Sequence, residues 1–174
     1  MKYIFTAMIF LLAVTLVNAQ VTEAAFLNAH LNKIKNAKEY TLQVANLMPE
    51  ENYNYKPNEA EMSFGKQLMH ISDNLCWLTS SHLSSKPNPV TKADGQLTAK
   101  KDIIAVVSKA YDYVIDALQN ISENSLVDPV KFFAGPMNKL QIINLVQDHQ
   151  THHRAQLLVY LRLNEIKPPS YVGW

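Results

Sequence analysis

The sequence predicts an all-α protein in which a cleavable signal peptide precedes an antiparallel four-helix bundle. Four long stretches repeat their apolar residues at steps of three, four or seven, which is the spacing of one helix face. Only 4 of the 174 residues are glycine, and this argues against a turn-rich all-β fold. Because the chain is 48% hydrophobic, it can bury the core of one domain.

The N-terminal residues 1–19 have the features of a Sec-type secretory signal with cleavage after Ala19. Lys2 is the only charged residue before Glu23, and an apolar run broken by two threonines extends over residues 4–17. This run is short for a membrane-spanning helix, so we expect cleavage rather than a retained anchor. Residues 20–174 would then form a single domain in the periplasm or outside the cell.

The first helix is expected to begin at Thr22, a residue type that caps helices, and to end before Pro49. The polar segment 50–61 that follows reads as a loop. The face of this helix that the spacing places in the core comprises Leu27, Leu31, Ile34, Thr41, Val44 and Met48.

The second helix is expected over about Met62 to Ser80, followed by a loop rich in serine, proline and asparagine. His70 and Trp77 are seven residues apart and share a face that differs from the core face. The core face comprises Phe64, Leu68, Ile71, Leu75 and Leu78.

The third helix is expected from a Thr98 cap to about Ile121. Residues 123–136 then read as a loop that contains a short extended piece at Val130, Phe132 and Phe133. The core face of the third helix comprises Ile103, Val107, Ala110, Val114, Ala117 and Ile121.

The fourth helix is expected over about Met137 to Asn164, with Pro136 in its opening turn, and it ends before two prolines. Polar residues interrupt its apolar face at the middle of the helix. Arg154 points away from this face and is expected to make an ion pair or a contact at a helix end. The inward face comprises Ile142, Val146, His149, His153, Gln156, Tyr160 and Leu163.

Histidines on the second and fourth helices are the candidate metal ligands. His149 and His153 are four residues apart, so their imidazoles project from one side of the helix and can bind one divalent ion. His70 would supply a third ligand if the second helix packs against the fourth. The single cysteine, Cys76, excludes an internal disulfide and a cysteine-based zinc cluster.

Four further residues are weaker candidates around this site. Gln156 lies one turn after His153 and is placed to orient a ligand or a water molecule. Asp73 lies one turn beyond His70, where it would accept an imidazole N–H or remain a solvated acid. Trp77 and Tyr160 would line a pocket over the metal, although aromatic residues at helical spacing are more often core residues.

Three functional alternatives follow from these residues. The first is a metal-dependent enzyme acting on a small molecule, and the second is a non-catalytic bundle that binds a metal or ligand. The third is a metal-free bundle with packed histidines, which requires His70 to lie away from the other two. Nucleic-acid binding is disfavoured, because 16 basic and 15 acidic residues become balanced once Lys2 is removed.

Two segments resemble the DinB-like (YfiT-like) four-helix proteins. The segment ENYNYKPNEAEMSFGKQLMHI, residues 51–71, looks like the start of these proteins, with a histidine in the second helix. The segment HQTHHRAQLLVYLRLNEIKPPSYVGW, residues 149–174, looks like their C-terminal signature of two histidines, then Arg, a small residue and Gln. The order and spacing of these features match over the whole of the expected domain.

This resemblance implies a divalent metal, nickel or zinc, held by His70, His149 and His153. Where activities in the family are known, they are often transfers or isomerisations that depend on a low-molecular-weight thiol such as bacillithiol or mycothiol. The resemblance therefore implies a metal-dependent hydrolase or a thiol-dependent transferase of unknown substrate. It also implies a homodimer, which is a frequent assembly in the family.

Overall fold

A computed structural model of the chain describes the backbone of residues 2–174 and the side chains of residues 24–174. It contains four long helices and a two-stranded hairpin, so the prediction of a mainly helical protein with four helices is confirmed. The elements are α1 (Lys2–Leu47), α2 (Phe64–Leu78), α3 (Lys100–Asn120), β1 (Pro129–Phe132), β2 (Gly135–Asn138) and α4 (Lys139–Leu163).

The predicted signal peptide, residues 1–19, lies outside the residues whose side chains are described. The backbone of α1 is helical through Thr22, so the predicted start of the first helix at this residue is wrong. The reason is that no glycine or proline occurs between Lys2 and Leu47 to end the helical hydrogen bonding. Over the part of the chain that the structure describes, no helix is both long and apolar enough to span a membrane.

The core lies between the four helices, with α2 packed against α3 and α4, and α1 packed against α3 and α4. Burial of a leucine-sized side chain contributes about 1.5–3 kcal/mol to folding, so these faces account for much of the stability. Cys76 is also fully buried, and this burial raises the pKa of its thiol to about 12. The core face predicted for α2 is confirmed, since the structure buries Phe64, Leu68, Ile71, Leu75 and Leu78.

The predicted starts of α3 and α4 are too early, by one residue and by two residues respectively. Ala99, rather than Thr98, precedes α3, and no side chain caps that end. At α4, Asn138 forms a capping box in which its side chain accepts a hydrogen bond from the Gln141 N–H at 2.9 Å and Gln141 Oε1 accepts one from the Asn138 N–H at 3.0 Å. This box satisfies two helix-end donors, so the helix begins after Asn138 and not at Pro136.

The hairpin between α3 and α4 accounts for the displaced Pro136. Lys131 pairs with Pro136 in the antiparallel register, and the turn ends at Gly135, whose φ of +122° is a conformation that favours glycine. The short extended piece is confirmed for Val130 and Phe132, which lie in β1. Phe133 lies in the turn, where its side chain is exposed.

The C-terminal ends of α2 and α4 differ from the prediction. After Leu78, the second helix continues as a single π-helical turn over Thr79–Leu83, three residues beyond the predicted end at Ser80. On α4, Leu163 is 54% exposed and does not belong to the inward face. It is the last helical residue, and the chain turns away immediately after it.

The turn after α4 contains Glu165 with a φ of +61°. The Glu165 N–H donates to Arg162 O at 3.0 Å and the Ile166 N–H donates to Leu161 O at 2.9 Å, which is the hydrogen-bond pattern of a Schellman motif. Glycine is the usual residue at this position, because a Cβ atom is strained in the left-handed conformation.

We expect Glu165→Gly to increase the free energy of unfolding by about 1 kcal/mol, because it removes this strain. Urea denaturation of the two proteins measures the difference. Glu165→Ala removes the same carboxylate but keeps a Cβ atom, so it is the matched control and should not stabilise the protein. Equal stabilisation by alanine and glycine would assign the effect to charge and contradict the prediction.

Candidate metal centre

The packing of α2 against α4 brings three histidines together. His70 of α2 lies beside His149 and His153 of α4, and each residue offers one ring nitrogen such that the three atoms lie within 4.8 Å of one another. The His70 ring centroid is 4.9 Å from that of His149 and 4.4 Å from that of His153. The metal-free alternative required His70 to be separate, and the structure does not have that separation.

His149 and His153 of α4 are neutral at physiological pH. Burial lowers the pKa of His149 to about 4, with a further contribution from the positive charge that His70 and His152 would carry. Burial likewise lowers the pKa of His153 to about 4, together with its histidine neighbours. A neutral imidazole keeps the lone pair that a metal ligand needs, so these rings are in the state that binds a cation.

One atom of the cluster lacks the partner that a buried polar group requires. His149 Nδ1 is buried and makes no hydrogen bond with the described residues. Such a group costs about 1–3 kcal/mol when it is left unsatisfied. Three imidazoles suit zinc, nickel and other transition-metal ions, so the donor set fits a divalent metal.

Gln67 connects the histidine cluster to a network of amides, and the sequence analysis did not identify it. Its Oε1 accepts a hydrogen bond from His153 Nδ1 at 2.6 Å, which leaves His153 Nε2 with the free lone pair. Its Nε2 donates to Gln156 Oε1, and Gln156 Nε2 donates to His152 Nε2 at 3.0 Å. Gln67 lies four residues before Ile71 on the core face of α2, and this position in the sequence could have indicated that it is a buried polar residue.

Comparison with known proteins agrees with the resemblance in the two quoted segments. The sequence model described as "DinB family" matches residues 22–171, which is most of the chain. The chain belongs to the DinB family.

Individual DinB relatives are distant in sequence. The chain is 26% identical over 129 residues to "Uncharacterized protein YjoA" of Bacillus subtilis (strain 168), a match that covers 70% of this chain and 80% of YjoA. Of the solved structures, a DinB-like protein from Bacillus cereus ATCC 10987 has a TM-score of 0.68 at 21% identity, covering 83% of this chain and 97% of that chain. The structure of YjoA has a TM-score of 0.67 at 18% identity and covers 82% and 96%. These likenesses establish the DinB-like fold.

Tyr160 lies next to the amide network of this DinB protein. Its hydroxyl donates to Met62 O at 3.0 Å, and its ring meets Tyr55 edge-on at 5.9 Å. The contact with Met62 ties α4 to the chain just before α2 and so helps to hold the two histidine-bearing helices together. A role of Tyr160 in lining a pocket over the metal stays a prediction.

Asp73 and Trp77 occupy different surroundings on α2. Asp73 is exposed beside His70, and partial burial of its carboxyl group raises its pKa. Trp77 is 42% exposed, and its ring stacks on the hairpin, with centroids 5.9 Å from Phe132 and 6.3 Å from Phe133. The functional roles suggested for these two residues stay predictions.

Among the residues whose side chains are described, Arg154 does not make the expected ion pair. It is buried, donates to Gln150 Oε1, and lies over the Tyr40 ring with its guanidinium carbon 5.1 Å from the centroid. Neutral oxygen acceptors and the aromatic face offset the loss of water around this charge. Arg154 therefore joins α4 to α1.

Proposed function

We propose that this DinB protein is a metal-dependent hydrolase or transferase of a small molecule, with His70, His149 and His153 as the metal ligands. The convergence of three imidazoles from two helices is the observation that carries the proposal. A divalent ion bound there would supply Lewis acidity and lower the pKa of a bound nucleophile. Nickel and zinc are the proposed ions, since both accept imidazole nitrogen.

The residues around the cluster support an enzyme better than a purely structural metal site. Structural zinc sites have four protein ligands, whereas catalytic sites have three and keep an open position. Among the described residues, the donor group comprises the three histidines and no fourth histidine, cysteine or carboxylate. A non-catalytic bundle that binds a metal or a ligand remains the alternative, and it requires a closed coordination sphere.

The protein chain itself would orient the ligands and control access to them. Gln67 holds the ring of His153 so that Nε2 faces the cluster. His70 is half-buried and lines an open cleft, so a small molecule can reach the cluster from the α2 side. A substrate in this cleft would bind near His70. Asp73 is an acidic residue that lines the same cleft.

The location and partners of the protein are part of the same proposal. The apolar run and small residues before Gln20 support export to the periplasm or the medium, without a stable membrane anchor after cleavage. The balanced charge of the remaining chain supports a small-molecule substrate rather than nucleic acid. A homodimer is proposed from the resemblance to the family.

The decisive experiment expresses the full chain in bacteria and analyses the exported protein. We expect a mass that corresponds to a chain beginning at Gln20, and about one nickel or zinc ion per chain by elemental analysis. Chelation should remove hydrolytic or thiol-transfer activity, and readdition of the ion should restore it. A protein that retains no stoichiometric metal after purification and binds none on titration would rule out the proposed function.

A further inference from the structure

A cleft of about 380 Å³ lies beside His70, between the outer face of α2 and the segment that leads into α3. This is within the size range of small-molecule sites. Gly65 forms part of the wall where α2 approaches Tyr53 and Ile103 most closely: a Cβ atom at Gly65 would lie 3.3 Å from Tyr53 O and 3.2 Å from Ile103 Cδ1. The wall of the cleft is therefore closely packed at Gly65.

Two side chains of opposite charge line this cleft and flank His70 along α2. Lys66 lies one turn before His70 and Asp73 lies one turn after it, and all three residues line the cleft. Seven residues of helix place the two charged positions roughly 10 Å apart along the axis and on nearly the same side. Within the described chain, neither the Lys66 ammonium group nor the Asp73 carboxylate has an ion-pair partner.

The surroundings of Asp73 disfavour an unpaired negative charge on its carboxylate. Burial is the main cause that raises the pKa of the Asp73 carboxyl group, and the nearby Asp94 carboxylate adds to it. Asp94 itself stays ionised, because hydrogen bonds from Thr91 lower its pKa. A cationic group placed next to Asp73 would relieve this repulsion.

The rest of the cleft lining combines apolar side chains with uncharged polar ones. Met69, Leu97 and Ile103 supply the apolar surface. Asn54, Gln96 and Thr98 supply side chains that can donate and accept hydrogen bonds. A ligand that fits has a charged group at each end and an apolar group between them.

We propose that the cleft binds a small zwitterion of dipeptide size, with its carboxylate at Lys66, its ammonium group at Asp73 and its apolar centre beside His70. An extended dipeptide spans about 7 Å, and the Lys66 and Asp73 side chains reach inward to cover the remaining distance. This assignment of a substrate class rests on the proposed function for its link to the metal. Binding in the cleft itself needs only the residues of α2 and the α3 segment.

The test measures binding of L-alanyl-L-leucine by calorimetry, alongside its N-acetyl form and its C-terminal amide. Each capped peptide lacks one charge, and we expect each to bind about tenfold more weakly than the free peptide. Lys66→Met should weaken the free peptide to the level of the amide and abolish the difference between these two. Asp73→Asn should abolish the difference between the free and acetylated peptides. Lys101→Met removes an exposed lysine outside the cleft and is the matched control.

The titrations are carried out on both chelator-treated and metal-loaded protein, so that the two proposals fail separately. Peptide binding without any metal uptake would keep the cleft assignment and overturn the metal-dependent function. Metal uptake with equal affinities for free and capped peptides would overturn the cleft assignment alone, and so would the absence of peptide binding at about 10 mM. Circular dichroism verifies that the variants, which change exposed residues, remain folded.

Discussion

His149→Ala is expected to reduce the affinity for nickel or zinc by at least about a hundredfold. A four-ligand zinc site contributes about 12 kcal/mol, so one imidazole corresponds to about 3 kcal/mol, or two factors of ten in affinity. His70→Ala and His153→Ala should cause losses of similar size, because all three ring nitrogens belong to one cluster. Competition with a chromophoric chelator measures the affinities. His82→Ala, a histidine outside the cluster, is the matched control.

Unfolding temperatures measured without metal distinguish metal binding by His149 from a role in core packing. His149 Nδ1 is a buried atom without a hydrogen-bond partner, so its removal relieves a cost of about 1–3 kcal/mol that offsets part of the packing lost with the ring. In the presence of chelator, we therefore expect His149→Ala to unfold near the wild-type temperature. When metal is added, only the wild type should be stabilised. A histidine that is important for packing alone would predict the same loss of stability with and without metal.

Gln67→Leu is expected to weaken metal binding by about 10- to 100-fold, although Gln67 is not a ligand. Its Oε1 fixes the tautomer and ring orientation of His153 through the 2.6 Å hydrogen bond. Leucine has a similar size but cannot accept this bond, so the ring loses its alignment. The same chelator competition measures the effect, with metal affinity and unfolding temperature recorded for each variant.

Two companion variants distinguish the effect of Gln67 on the orientation of the His153 ring from its effect on core packing. Gln67→Glu retains an acceptor for His153 Nδ1 and should preserve most of the metal affinity. Gln147→Leu replaces another buried glutamine of the bundle, which lines a separate small cavity with His30 and Ile34, and it should leave the affinity unchanged. If Gln67→Leu lowered stability but left metal affinity at the wild-type level, the positioning role of Gln67 would be refuted.

The apolar periodicity predicted most of the residues that enter the core, because helix formation and its buried face depend on neighbours three and four positions away. All five residues predicted for the α2 core face are buried. The helix ends were harder to predict, since several residue types can cap a helix. Asn138 starts α4 because Gln141 completes its capping box, while the nearby Pro136 is paired in a hairpin.

Polar residues in the core were predicted less well than apolar ones. Arg154 was expected to pair with an acid, but its partners are Gln150 and the Tyr40 ring. Gln67 was overlooked because its position in an apolar stripe does not show which polar atom it will meet. The partner of a buried polar group depends on the neighbouring helix, so sequence spacing alone does not identify it.

The sequence by itself determined the four amphipathic helices, the family resemblance and the pair formed by His149 and His153. A spacing of four residues places two side chains on one side of any α-helix, whatever surrounds it. Only the tertiary structure decided that His70 and Gln67 of α2 reach this pair. Their meeting depends on how α2 packs on α4, and interhelical packing is set by the complementary surfaces of both helices rather than by the periodicity of either one.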